Sequence, residues 1–239
     1  MVKKISLVVA LAAALAALLW AVRAPGAFAD ASGAWQAYRT GKYAPAVKEL
    51  AALAETGDAN AQFYLGTLYS DGLAVKRDYR KAIEWYGKAA AKGHGDAEFV
   101  LGFLHLSGAG EGASAVPADR NEAVRWLGLA ASKGNVAAQS LLAQLQGEGR
   151  GVATNEGAAT RWALAAAERG DAAAQYELGV LRARSMTADS WADAYMWFRL
   201  AERQNYPGAR ESRMAAAKQL DPKTIAEAER HADMFIPSK

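Results

Sequence analysis

The sequence predicts an all-α fold, a solenoid of antiparallel helix hairpins, and three observations predict it. First, one unit, from Gly57 to Gly93, returns three times. Gly93 to Gly134 repeats it with five extra residues, Gly134 to Gly170 repeats it at the same spacing of 36, and Gly170 to Asn205 repeats it one residue short. Self-similarity at a period of about 20–50 residues marks stacked supersecondary units, none of which can bury its apolar face alone. Second, each unit carries two apolar stripes. Ala61, Ala97, Ala138 and Ala174 align, followed four residues later by Leu65, Leu101, Leu142 and Leu178, and three further on by Leu68, Leu104, Leu145 and Leu181. In the other half of the unit Ala82, Ala123, Ala159 and Ala194 precede Trp85, Trp126, Trp162 and Trp197, and then Ala89, Ala130, Ala166 and Ala201. Steps of three and four put each set on one helical face. Third, the second stripe always stops at a residue suited to positive φ, Gly93, Gly134, Gly170 or Asn205, as expected just past a helix C-terminus.

In chain order, residues 1–29 read as a secretory signal peptide. Lys3 and Lys4 form a positive start, Ile5 to Val22 an uncharged apolar run, and Ala27-Phe28-Ala29 an A-x-A signal that places cleavage between Ala29 and Asp30. The apolar run is also long enough to be a spanning candidate, so the alternative is an uncleaved inner-membrane anchor. No Cys follows the run to accept a lipid. Residues 30–57 form a degenerate opening hairpin: Tyr43 and Ala46 stand where Tyr79 and Ala82 stand later, and Glu49 takes the Trp position. Terminal units of solenoids are atypical because one face meets water, and Trp35 and Tyr38 are expected to pack on the first full unit. The four full units span 58–93, 94–134, 135–170 and 171–205. Their internal turns vary most; the second, Gly108 to Pro117, is Gly- and Ala-rich and longest. Residues 206–239 read as capping helices, the last opened by Asp221 as N-cap and Pro222 at the first helical position.

The repeat resembles the Sel1-like family, a relative of the tetratricopeptide repeats. The residues that carry the resemblance are Ala61, Leu65, Gly66 and Tyr69 in the first half and Asp78, Ala82, Trp85, Ala89, Ala90 and Gly93 in the second. Gly102 and Gly179 keep the family glycine and Ala143 replaces it; Asp119 and Asn155 repeat the helix-opening cap. The resemblance implies a right-handed superhelix and no reaction. It also implies that first helices line the concave side, which makes Asn60, Phe63, Thr67 and Ser70 groove-facing, with Asp96, Phe99, Phe103 and Leu106 in the second unit, Ser140 and Gln144 in the third, and Tyr176 and Val180 in the fourth. An apolar cluster among these, in the first two units above all, is expected to form a partner-binding face; the competing expectation is that the rings pack between first helices.

Composition excludes several classes. The chain holds 28 Lys and Arg against 25 Asp and Glu, and the leader accounts for three of the basic residues, so the remainder is formally neutral and carries no nucleic-acid footprint. Cysteine is absent, which removes disulfide staples and the Cys-rich subset of Sel1-like proteins. His94, His105 and His231 form no helical pair, so no metal is expected. Glu111 and Glu148 read as solvated turn charges rather than a catalytic pair. No phosphate loop, nucleophile elbow or zinc-protease motif occurs, so no catalytic residue and no cofactor is expected. The aligned Trp residues read as core rather than as sugar platforms. The expected function is a non-catalytic scaffold for protein partners in the bacterial cell envelope, periplasmic or secreted, monomeric, and without membrane insertion once the leader is removed. The resemblance ties relatives to exopolysaccharide export, envelope signalling and host contact without choosing among them. The alternatives are a structural envelope protein contacting polysaccharide or peptidoglycan, and an unrecognised hydrolase.

Overall fold

The computed structural model describes residues 33–110, 112, 115–149 and 154–238. The leader and its cleavage site lie outside them. The described residues hold twelve helices and no strand: α1 (Gly33–Arg39), α2 (Tyr43–Glu55), α3 (Ala59–Asp71), α4 (Tyr79–Ala91), α5 (Gly95–Ser107), α6 (Arg120–Ser132), α7 (Val136–Glu148), α8 (Glu156–Ala167), α9 (Ala172–Ala183), α10 (Ala188–Arg203), α11 (Ala209–Ala217) and α12 (Pro222–Met234). They fall into two compact units, one ending at Asn135 and one beginning at Val136. In the first α3 packs on α4 and α5 on α6; in the second α7 packs on α8 and α9 on α10.

Local chemistry sets the ends of the helices. Asp58 and Asp171 accept the amide of the residue three further on, at 2.6 and 2.7 Å, and cap α3 and α9. In α5 the same place falls to His94, whose Nδ1 accepts from Ala97 N at 3.3 Å. Asp78, Asp119, Asn155 and Thr187 cap the second helices, the last within a capping box. The stops are as regular. Gly57, Gly93, Gly134, Gly170 and Asn205 all have positive φ, and the amide after each reaches back to the second helix: Asp58 to Leu53, His94 to Ala89, Asn135 to Ala130, Asp171 to Ala166, Tyr206 to Ala201. This is the Schellman closure, and it satisfies carbonyls the helix end would otherwise orphan.

A second set of bonds crosses from one hairpin to the next. Lys92 donates to the carbonyl of Gly57, Lys133 to Gly93 at 3.1 Å, and Gln204 to Gly170 at 3.0 Å. Gln62 and Gln175 donate to Ala54 O and Ala167 O, at 3.0 and 3.3 Å. Glu98 stands at that place in the second repeat, and its buried side chain pairs with Lys133 at 2.6 Å instead.

The small-residue stripe is buried as expected: Ala61, Ala97, Ala138, Ala174, Ala82, Ala123, Ala159 and Ala194 are all enclosed. The Trp stripe is not. Trp197 is buried, but Trp85, Trp126 and Trp162 are half-buried, which corrects the expectation of four core indoles and of a buried Trp126. Lys88 lies 3.7 Å from the Trp85 ring centroid and Arg125 lies 4.1 Å from that of Trp126. The enclosed residue is the next one along, Tyr86, Leu127, Ala163 or Phe198. Tyr86, Leu127 and Phe198 each meet the family glycine of their own hairpin. A Cβ on Gly66 would stand 2.8 Å from the Tyr86 ring, one on Gly102 2.6 Å from Leu127 Cγ, and one on Gly179 2.7 Å from the Phe198 ring. Where the glycine is replaced, by Ala143, the position opposite has shrunk to Ala163, and both lie in one buried cluster. The two positions thus change together: a glycine admits a large side chain, and an alanine goes with an alanine.

The ends of the chain are sealed differently. Trp35 and Tyr38 of α1 pack at a tilt against Tyr64, at 4.4 and 5.2 Å between centroids, which closes the first unit as expected. In the second unit Asp221 caps α12, and Arg213 of α11 ties three helices together. It donates to Tyr195 Oη at 2.8 Å and to Glu202 at 2.6 Å, while Tyr195 donates to Glu229 at 2.9 Å.

Candidate functional site

The groove-facing assignment meets the structure unevenly. Helix α3 buries every residue from Ala61 to Leu68, and α5 every residue from Ala97 to Gly102. A helix covered on nearly all sides has few groove positions to offer. Phe63 and Phe99 are therefore core, 2% and 3% exposed, and not part of an open face. Phe63 stacks on His94 at 4.6 Å and meets Tyr86 at 5.6 Å. Thr67 is buried and bonds the Tyr86 phenol; Ser140 is buried and donates to Asp171 at 3.0 Å. Tyr176 and Val180 are half-buried against the terminal helices, the Tyr176 ring 5.1 Å from Tyr206 and 5.5 Å from Phe198, with Ser212 donating to its oxygen at 3.3 Å. Asn60 and Asp96 are exposed in first turns, and Leu106 and Gln144 are half-buried.

What the first unit does present is a pocket of about 430 Å³ at the turn end of its first two full hairpins. Thr67, Ser70 and Asp71 of α3, Tyr79 and Tyr86 of α4, and Val100, Phe103, Leu104 and Ser107 of α5 form its walls; Tyr38 of α1 and Gly108 to Gly110 complete it. Of the expected face, Thr67, Ser70 and Phe103 line it, and the other rings do not.

The wall is set from below by Gly66. Its missing Cβ admits the Tyr86 ring, whose hydroxyl then donates to Thr67 Oγ1 at 3.2 Å and lies 3.3 Å from Ser70 Oγ. Burial pushes the Tyr86 phenol up to about 12, against the opposing pull of the Ser70 and Thr67 hydrogen bonds, so it stays a neutral donor. The far wall is set by the five-residue extension of the second repeat. Gly108 leaves α5 at φ 68, and a Cβ there would press on Val116 O and Ala118 N at 3.1 Å. Ala109 and Val116 then exchange both backbone bonds, at 2.9 and 2.8 Å, and Arg80 Nε on α4 donates to Ala115 O at 3.4 Å. The sequence marked this extension as a surface turn, and nothing in its composition showed that it folds back as a wall.

The walls are largely apolar and carry one formal charge. Asp71 is exposed, accepts from Ser70 Oγ at 3.0 Å, and has no ion-pair partner for its carboxylate among the described residues. The Arg77 guanidinium nearby donates to the main-chain carbonyl of Asp71 at 3.0 Å. Nothing here resembles a nucleophile with its base. Among the described residues no group of three or more His, Asp or Glu side chains is placed to hold a metal, and no helix is long and apolar enough to cross a membrane.

Comparison with known proteins agrees with this architecture. Residues 59–94, 95–135, 136–171 and 172–206 each match the model of the Sel1 repeat. A stretch of 58 residues is 40% identical to the ERAD-associated E3 ubiquitin-protein ligase component HRD3A of Arabidopsis thaliana, over 24% of this chain and 9% of that protein. The solved structure of a Sel1 repeat protein from Oxalobacter formigenes superposes with a TM-score of 0.69 at 23% identity, covering 85% of this chain and 84% of that one. That of a protective antigen present in uropathogenic Escherichia coli strains, displaying an SLR fold, gives 0.51 at 28% identity and covers 81% of this chain and 49% of that one. The chain thus spans about half the length of the antigen and a small part of HRD3A.

Proposed function

The chain belongs to the Sel1 repeat family, and from that premise we propose that it is a non-catalytic scaffold that binds protein partners in the bacterial cell envelope. Sel1 repeats generally mediate protein–protein interaction. The observation that carries the reading is the pocket of the first unit, whose Phe103, Tyr79, Tyr38 and Leu104 offer the mix of rings and aliphatics that anchors interface hot spots. The chemistry of the remaining polar groups supports it: Glu98, Asp171, Glu202 and Arg213 hold helices together instead of converging on a cavity. The leader supports the envelope location, by export and cleavage before Asp30. The half-exposed indoles favour a protein over a glycan ligand, since Lys88 and Arg125 lie over the rings of Trp85 and Trp126 that a sugar would need.

The test is site-specific photo-crosslinking in the native cell. A photoreactive residue at Phe103 is expected to yield discrete protein adducts that are missing when it is placed at exposed Glu84 on α4. The same adducts from both positions, or none from Phe103, would refute the scaffold reading.

A further inference from the structure

We infer that the pocket of the first unit is an arginine-binding site, filled by the side chain of a basic residue on an extended segment of the partner protein. This rests on the scaffold reading and names the chemistry of its partner. Three features converge on arginine. The pocket, at about 430 Å³, has room for a long side chain, and its interior is apolar, with Tyr38, Tyr79, Val100, Phe103 and Leu104 suited to an aliphatic stem and to the face of a guanidinium. Its one acidic or basic side chain is Asp71, whose carboxyl accepts from Ser70 Oγ and has no ion-pair partner among the described residues. At the floor the Tyr86 hydroxyl is committed to Thr67, and no lysine, arginine or histidine is among the lining residues. A carboxylate at the edge of an aromatic-walled pocket is complementary to a planar cation that can stack and bond at once, which favours arginine over the compact ammonium of lysine. The Arg77 guanidinium donates to the Asp71 main-chain carbonyl, and among the described residues it forms no ion pair with the Asp71 carboxylate.

The probe is the tripeptide acetyl-Gly-Arg-Gly-amide, titrated into the mature protein and read by the amide NMR signals of Gly108, Ala109 and Gly110 on the pocket wall, with Gly128 on α6 as the remote reference. Saturable shifts at the three wall amides and none at Gly128 are expected. Replacing arginine by citrulline, which keeps the shape and removes the charge, is expected to weaken binding about fivefold, as is Asp71→Asn with the arginine peptide. Phe103→Ala removes the stacking wall and is expected to weaken binding by a similar factor. Asp71 is exposed and its replacement leaves the core untouched, so an unchanged melting temperature certifies the fold. No shift at the wall amides up to tens of millimolar peptide, or equal binding of citrulline, or binding that survives Asp71→Asn, overturns the assignment. The two readings fail separately. Protein adducts from Phe103 with no arginine binding leave the scaffold standing and remove the arginine site; arginine binding without adducts does the reverse.

Discussion

Gly179 and Phe198 form a pair whose energetics follow from geometry. A methyl group on Gly179 would stand 2.7 Å from two carbons of the Phe198 ring and 3.1 Å from a third, where ordinary contact begins near 3.4 Å. The ring cannot swing aside, because Tyr176 lies 5.5 Å away and the ring is buried among Tyr195, Ala194, Ala216 and Ala228. Taken alone, Gly→Ala within a helix stabilises by about 1 kcal/mol. Overpacking of this kind costs about 1–3 kcal/mol, and contacts as short as 2.7 Å belong at the upper end, so Gly179→Ala is expected to destabilise by about 1–2 kcal/mol net. Phe198→Ala removes a buried ring and is expected to cost about 3–5 kcal/mol. In the Phe198→Ala background the clash is gone, so adding Gly179→Ala is expected to stabilise by about 1 kcal/mol. The coupling between the two changes is then about 2–3 kcal/mol, far outside the ~0.5 kcal/mol of independent sites. Urea unfolding of the four proteins, followed by circular dichroism, measures it. Additive effects would refute the argument that the family glycine exists to admit the residue opposite. The third repeat is the control: Ala143→Gly has no ring to relieve and is expected to cost about 1–2 kcal/mol, in helix propensity and one buried methyl.

Three further outcomes follow from the same contacts. Phe99→Ala is expected to lower stability by about 3–5 kcal/mol as a core truncation, while Phe103→Ala costs about 1 kcal/mol and weakens partner binding; chemical denaturation beside a binding assay separates them. Trp197→Ala is expected to cost about 3–5 kcal/mol and Trp126→Ala about half as much, and equal losses by the same unfolding assay would restore the four-indole core. Burial pushes the His94 imidazole below its ordinary value, outweighing Asp96, Glu98 and Asp58. The unfolded chain binds that proton near pH 6.5, so the contribution of neutral His94 is complete above about 6.5 and is lost as pH falls through its depressed folded value. His94→Asn, which keeps an acceptor for Ala97 N, is expected to flatten the slope of stability against pH below 6.5; an unchanged slope would place the titration elsewhere.

The sequence revealed the hairpins because period and caps are local. Asp58, Asp78 and Asp119 announce their helices, and Gly93 or Asn205 ends them, whatever the tertiary context. It misled on the second stripe for a physical reason. Recurrence favours Trp85 and its equivalents, but the buried face steps from Ala82 to Tyr86 to Ala89, and the middle position is large, as Tyr, Leu or Phe, where it meets a glycine and small only where Ala143 replaces that glycine. An aligned column hides a residue whose volume is set by its neighbour. The groove failed likewise: amphipathic reasoning presumes one wet face, and α3 has eight consecutive buried residues. The pocket was illegible because α1, three other helices and a turn supply its wall, and only Phe103, Thr67 and Ser70 carried a hint of it.

The side-chain bonds from Lys92, Lys133 and Gln204 to the closing carbonyl of the preceding hairpin bear on how such a chain can grow. The first, second and fourth repeats each end with the donor that bonds the closing carbonyl before them. A whole repeat of this kind carries both a donor and an acceptor, and gene duplication in steps of one period keeps such a bond available at the new junction. A deletion cut between Gly57 and Lys92 would instead strand one half of a pair. The length of the array is free to drift between lineages, while the phase of any insertion is constrained, and a library of inserted fragments selected for solubility would be enriched at whole-period lengths.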